Sequence, residues 1–493
     1  GLNVPRENLG LYWLVFAAVC AFLCLPVVTC HYAPLVDYPS HLARAYILAH
    51  YNEIPIYQQN FVSVHELIPN LAIDIMGGCL LRFMGVTSFS RLFLAFIVLL
   101  FAAGCHMLGC AIRGRPTMIA ILCTFFIYNS MLLYGFVNYA FGLGMFCITF
   151  ACYLRYRQSW TLPRLFFVGA LVFLSYLAHQ SAYAFLAAAF LVVAVFDYVE
   201  TSQRNRLLLA IVLVVPEIFL YFAHGHHGQR DMATDIYWST PRQKIIGLTA
   251  FGSSYSHRFD AVFLVVLFVL LVVAARLTES TRIVHSVRTA GFLFFACYLI
   301  MPYRWLSGSP VDARFIIPAL LLIVLSFETR IPRVGATVLF TACLLLFCLR
   351  IATIWRVWYA LDQDVAAQVE MFKALPEGAS VYTAFLTVDS GAELSKTDRS
   401  FLHVSEYATI TRHALIPTQF ASPGQQPLLF RVRPHYKAPL LQSSEWIKVM
   451  RGYEFAWSYA LPDPYERLME ANCTPIAKVG KGTLWRVSYV ESR

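Results

Sequence analysis

The sequence predicts a polytopic α-helical membrane protein of about eleven transmembrane helices. Interfacial helices are expected in its first outer loop, and a small C-terminal α/β extracytoplasmic domain after the last span. Three observations carry this expectation. Of 493 residues, 59% are hydrophobic and only 13% charged, whereas soluble globular chains carry about 25% charged residues. The mean hydropathy is +0.61. Apolar runs approaching the roughly 20 residues needed to cross a bilayer recur along most of the chain. Beyond residue 355 the composition turns ordinary, with acids, bases, Pro and Gly, so the expected domains are 1–355 in the membrane and 356–493 outside it.

The first run, "LYWLVFAAVCAFLCLPVVTC" at 11–30, is followed by no small-residue cleavage site and leads directly into more membrane sequence, so it reads as a retained span. Apolar runs bounded by charge place the others at 89–111, 117–133, 139–154, 164–178, 183–198, 207–222, 259–275, 289–302, 315–327 and 335–354. One set of short loops holds Arg113 and Arg115, Arg155 and Arg157, Arg204 and Arg206, and Arg330 and Arg333. The opposite short loops, 134–138 and 179–182, hold no arginine. The positive-inside rule then puts the N-terminus in the cytoplasm and the C-terminal domain outside. The segment "IPNLAIDIMGGCLLRFMG" (68–85) is apolar enough for a span, but counting it would reverse every later arginine-rich loop, so it is read as a helix along the interface. In the tail, "DQDVAAQVEMFKALPEG" reads as a helix ending at Gly378, and "DPYERLMEANC" as a short helix. "ASVYTAF", "PLLFRVRPHY" and "GTLWRVSYV" read as strands.

Charge and cysteine usage exclude several classes. The net charge of +10 is no nucleic-acid signature, because no lysine precedes Lys244 and the arginines sit at loop ends, where they anchor helices or meet anionic lipid. Most of the 13 cysteines lie inside apolar runs and act as small hydrophobes. No CxxC or Cys/His spacing suggests zinc.

The polar residues that can do chemistry collect at the expected outer ends of the spans. "LVDYPSHLARAYILAH" (35–50) places Asp37 just past the first span, with His41 and Arg44 one and two helical turns on. A charge there asks for a partner or a task. Asp37 caps the helix that begins near Pro39, or acts as a base, and the same exposed position can serve both. Asp74, between Ile73 and Ile75, is either a second acid or a residue facing water. "HGHHG" brings His224, His226 and His227 into a flexible loop without a carboxylate at ligand spacing, which suits phosphate or headgroup contact better than metal. His179 reads as a structural histidine. Arg314 in "GSPVDARF" starts a span beside Asp312; it is a snorkelling anchor, a local ion pair or a fork for a lipid phosphate. Arg304 and Lys244 add positive charge on the same expected face.

An acidic residue just after the first span, in a large outer loop with interfacial helices, resembles the GT-C superfamily of polytopic, polyprenyl-phosphate-sugar-dependent glycosyltransferases. The likeness continues in "FSRLFLAFIVLLFAAGCHMLGCAIRGRP", a span closing on a basic turn, and in the short return span "TMIAILCTFFIYNSMLLYG". A late outer arginine and an outer α/β tail complete it. The resemblance implies an inverting transfer of a sugar from a polyprenyl-phosphate carrier to an acceptor. Asp37 would be the general base and Arg314 would stabilise the leaving lipid phosphate. His41, Arg44, Asp74, Arg304, Lys244 and His226 would help to bind substrate or lipid phosphate. It implies a lipid-linked donor, a glycan, lipid or protein acceptor, surrounding membrane lipids and no nucleic acid. The scarcity of lysine and the loop architecture suggest a bacterial inner membrane, with the tail in the periplasm. Where other members carry a second acid, "LYGFVNYAFG" offers only Asn138, so no cofactor is expected, although a divalent metal stays open. Two other classes remain: a membrane acyl- or phospho-group transferase, and a lipid or small-solute transporter or scramblase, for which Glu217 beside Pro216 is the polar residue inside a span. Trp446 and Trp457 either stack on sugar or pack in a core.

Overall fold

The computed structural model describes residues 9–224, 236–305, 308–386, 395–441 and 443–488. Each expected span contains helix, and seven helices are long and apolar enough to cross a membrane: Leu9–Thr29, Val86–Arg113, Val137–Tyr156, Gln180–Thr201, Arg204–Ala223, His257–Leu277 and Arg333–Phe372. The chain is an integral membrane protein. The other apolar runs form shorter helices, so length alone does not make the expected eleven crossings. Ile316–Ser326 has 11 residues, about 16 Å at 1.5 Å per residue, against a core about 30 Å thick. The run at 117–133 is interrupted: helix Met118–Thr124 passes through a 3-10 turn, Phe125–Ile127, before Ser130–Leu133, whose backbone Asn129 caps.

Two compact units divide the chain. The first comprises Gly1–Val28, Leu67–Ala72 and Leu94–Arg356. Its helices pack closely where side chains vanish: a Cβ on Gly104 would come within 2.7 Å of Cys147, and one on Gly144 within 2.8 Å of Leu100. Small residues let helix backbones approach like this where lipid offers no hydrophobic drive for association. Arg350, fully buried, donates to the carbonyl oxygens of Gly252, Ser253 and Tyr128, at chain segments that leave helices with unsatisfied acceptors.

The second unit comprises Thr29–Glu66, Ile73–Phe93 and Val357–Arg493. The expected division at 355/356 therefore accounts for only part of it, because the segment after the first helix joins the tail. The join is made of hydrogen bonds. Strand Phe61–Ser63 pairs antiparallel with Leu428–Phe430, Phe61 opposite Phe430. Ser40 Oγ accepts from the Phe420 backbone at 2.9 Å, and the Gln419 amide donates to the Ser40 carbonyl at 2.8 Å. The Tyr57 hydroxyl donates to the Thr409 carbonyl at 2.8 Å. Helix Ala72–Leu80, the core of the segment withheld from the spans, has only nine residues and is too short to cross a bilayer.

The tail carries a four-stranded sheet in the order Val381–Ala384, Phe455–Tyr459, Gly482–Val487, Cys473–Val479. The first pair is parallel and the others antiparallel. Helix Asp463–Asn472 forms as expected, and Gly378 takes a φ of +73° in the turn that leads into the first strand. Of "PLLFRVRPHY" only Leu428–Phe430 is strand, and it pairs with the first loop rather than with this sheet. Trp446 and Trp457 are buried, Trp446 in the core with Tyr382, Met450 and Met469, and Trp457 with its ring nitrogen on Gln368 at 3.1 Å. Core packing, not sugar stacking, accounts for both.

Candidate functional site

Helix Tyr38–Ala49 begins where Pro39 presets the first turn, and Asp37 stands at its N-cap position. The Asp37 side chain makes no capping bond, so the capping alternative fails. Its carboxylate, 18% exposed, faces His403 of the tail, with Oδ1 3.8 Å from Nε2. Among the described residues no other cation lies within ion-pair distance of it. Burial pushes the Asp37 carboxyl up to about 6; His403 draws it back down and Glu406 pushes it further up.

His403 is itself gripped from behind. A 3-10 turn, Val404–Glu406, follows it, and in this tight helix residues three apart eclipse, which puts Glu406 over the imidazole. Nδ1 lies 2.7 Å from Glu406 Oε1. Glu406 is completely buried and also accepts from the Ser405 hydroxyl at 3.0 Å and the Thr418 hydroxyl at 2.8 Å. Both of its oxygens are thus engaged, by two hydroxyls and the imidazole. Burial alone would lower the His403 pKa, but the charge and hydrogen bond of Glu406, with Asp37 added, raise it above its ordinary 6.5. Phe420 stands edge-on to both His403 and His41, at 4.9 and 5.1 Å between ring centroids.

The residues expected to support Asp37 do something else. Arg44, 1% exposed, binds Asp74 through both carboxylate oxygens at 2.7 and 2.9 Å, and its Nη2 lies 3.1 Å from His41 Nδ1. Asp74 is thus neither a second acid nor a residue facing water: buried, it needs a cation, and Arg44 is that cation. The pair does not include Asp37.

A separate group of polar residues belongs to the first unit. Arg314 lies in the 3-10 turn Asp312–Phe315, whose Arg314 carbonyl accepts from the Tyr139 hydroxyl at 2.6 Å. Its guanidinium sits 5.5 Å from the centroid of Phe136, and its buried Nε has no partner among the described residues. The local ion-pair alternative fails, because Asp312 is taken by Lys244 at 2.6 Å. Lys244 also donates to the carbonyls of Tyr298 and Met301, at 2.7 and 2.8 Å. With all three ammonium hydrogens engaged, it has none for a lipid phosphate, which corrects its expected role. His179 accepts from the Ser181 backbone and so caps helix Gln180–Thr201, the structural role expected of it. Arg304 is exposed, and its peptide group pairs with that of Tyr237. Asn138 donates to the Asn70 carbonyl at 2.5 Å. Glu217, 5% exposed, lies within helix Arg204–His224, and its Oε2 has no partner among the described residues. His226 lies outside the described residues.

Sequence reasoning missed His403 and Glu406. Their signal is an H-x-x-E spacing within "FLHVSEYATI", which marks an i, i+3 pair but says nothing of what the imidazole meets.

No protein-family model matches the chain, and no curated protein sequence does. Solved structures resemble it. ArnT from Cupriavidus metallidurans bound to undecaprenyl phosphate superposes with a TM-score of 0.51 and 13% identity over 98% of this chain and 99% of that one. The apo form of the same protein gives 0.54 and 12% over 97% and 98%. At such identities the likeness is one of fold alone.

Proposed function

We propose that the chain is an inverting glycosyltransferase that moves a sugar from a polyprenyl-phosphate carrier to an acceptor at the outer membrane face, with Asp37 as general base. The observation that carries this reading is the state of Asp37: a carboxylate at the start of a helix that it does not cap, partly open to solvent and opposed by one imidazole. A structural acid in this position would be consumed by backbone N–H groups or an arginine, as Asp74 is.

In the proposed reaction the acceptor hydroxyl attacks the anomeric carbon while its proton passes to Asp37. The bond from carbon to phosphate oxygen breaks on the opposite face, and the carrier leaves as polyprenyl phosphate. That leaving group needs positive charge more than it needs an acid. Arg314, a guanidinium without a carboxylate partner among the described residues, suits it. The undecaprenyl phosphate held by ArnT supports a carrier of that chemistry here. The acids Glu406 and Asp74 are already held, by His403 and Arg44, so the proposed route needs no metal bridging paired carboxylates. With the N-terminus in the cytoplasm of a bacterium, the tail and the first outer loop face the periplasm.

Native mass spectrometry of the gently purified protein tests the donor assignment. The wild type is expected to retain polyprenyl phosphate, chiefly in its spent, unglycosylated form, and Arg314→Ala to lose it by about tenfold or more. Ordinary phospholipid alone, unchanged by the substitution, would remove Arg314 from the mechanism and turn attention to Glu217 and transport.

A further inference from the structure

Glu406 fixes the protonation of the residue that faces Asp37. An ionised carboxylate only accepts hydrogen bonds, so the His403 nitrogen 2.7 Å from Glu406 Oε1 must carry a hydrogen. The ring's other nitrogen, Nε2, then has two states. Without a hydrogen it would turn a lone pair on the Asp37 carboxylate 3.8 Å away, a repulsive contact unless Asp37 itself were protonated. With a hydrogen, His403 is an imidazolium between two carboxylates. The cluster therefore holds one proton that either His403 or Asp37 carries.

We propose that His403, clamped by Glu406, is the positioning residue of Asp37: its charged Nε2 edge attracts Oδ1 across 3.8 Å and leaves Oδ2 for the acceptor hydroxyl. This rests on the reading of Asp37 as the base. The clamp is built rather than incidental. Thr418 and Ser405 fasten Glu406 from two other directions, and the Phe420 ring stands roughly perpendicular to the imidazole, 4.9 Å away between centroids. Phe420 is anchored in turn through its backbone N–H to Ser40, three residues beyond Asp37, so base and clamp are fixed to each other at a second point. Proton accounting is simple. The acceptor's proton ends on Asp37, His403 keeps both of its own, and Asp37 discharges to water when the product leaves.

The charged groups around the cluster support the assignment. From helix Tyr38–Ala49 come His41 and Arg44, and from helix Ala72–Leu80 comes Asp74, which cancels Arg44. From the tail come Glu406 and the phenols of Tyr436 and Tyr407, which stay neutral in the range of interest. His403 is the one cation among them that meets Asp37, so its removal is expected to raise the Asp37 titration.

Two measurements test this without requiring turnover, so their failure is distinct from failure of the transferase reading. The first is the melting temperature of Asp37→Asn minus that of its parent, followed from pH 4.5 to 7.5. A carboxyl titrating near 6 makes this difference grow with pH and level off near pH 6. In a His403→Gln background the levelling-off is expected about one unit higher, and in His403→Lys back near or below pH 6. The same levelling-off pH in all three backgrounds would overturn the proposal. The second needs no change at His403. Linkage is reciprocal, so in protein labelled with nitrogen-15 histidine, one of the 14 imidazoles is expected to titrate at lower pH in Asp37→Asn than in the wild type. An unchanged set of histidine titrations would sink the proposal on its own.

Discussion

Asp37 costs the fold stability when it is ionised. Its pKa rises from 3.8 to about 6 on folding, so the folded protein binds this proton more tightly than the unfolded chain does. The resulting stability is fully present below about pH 4 and is lost as pH rises through 6. At pH 8 the neutral isostere Asp37→Asn is therefore expected to stabilise the protein by about 1–3 kcal/mol and raise its melting temperature, while at pH 4 the gain should vanish. Thermal unfolding at the two pH values checks this, and an equal effect at both would contradict the buried titration. The same pKa sets the acid limb of the proposed activity: transfer should fall about tenfold per pH unit below 6, as the base becomes protonated. Asp37 was legible because a lone acid at the end of an apolar run has few bland explanations. His403 was not, because a histidine in a polar tail has many, and only the folded chain shows which carboxylate it meets.

Helix Tyr38–Ala49 shows how far spacing alone can be trusted. The i+4 and i+7 positions correctly put His41 and Arg44 on one stretch of helix, yet Arg44 turns to Asp74 on a different helix. A periodic pattern reports which residues share a face and not what that face packs against. The buried pair makes a definite prediction: Arg44→Ala should destabilise the protein by about 3–5 kcal/mol, because it leaves Asp74 charged and unpaired. An Arg44→Met, Asp74→Leu double variant should cost much less. Denaturation of both variants checks the coupling, and equal losses would refute it. Strand legibility follows the same logic. Phe455–Tyr459 is buried along its whole length and so lacks the alternation that marks a half-exposed strand, whereas Cys473–Val479 contains Pro475 and runs at the sheet edge with a bulge there. The helices were easy by comparison, since apolar runs of this length have one stable form in lipid.

At the scale of the whole molecule, composition located the change near residue 356 but not what the tail joins. Charge content sees which residues prefer water; it does not see that Phe61–Ser63 supplies a strand to Leu428–Phe430 or that Ser40 is bonded to residues 419 and 420. The tail cut away at 357 is expected to lose hydrogen-exchange protection at 428–430 and around 419–420 while keeping it in the central strands Phe455–Tyr459 and Gly482–Val487. Full protection in the isolated tail would show that the segment after the first helix adds nothing to its fold. This shared unit is also why Asp37 from one end of the chain and His403 from the other belong to one cluster. Whether Asp37 is the base of a sugar transfer is tested most directly by native mass spectrometry of Asp37→Asn beside the wild type. A protein that binds its donor but cannot activate the acceptor should hold the glycosylated carrier, where the wild type holds spent polyprenyl phosphate. The same lipid on both proteins, or phospholipid alone, would contradict the role assigned to Asp37.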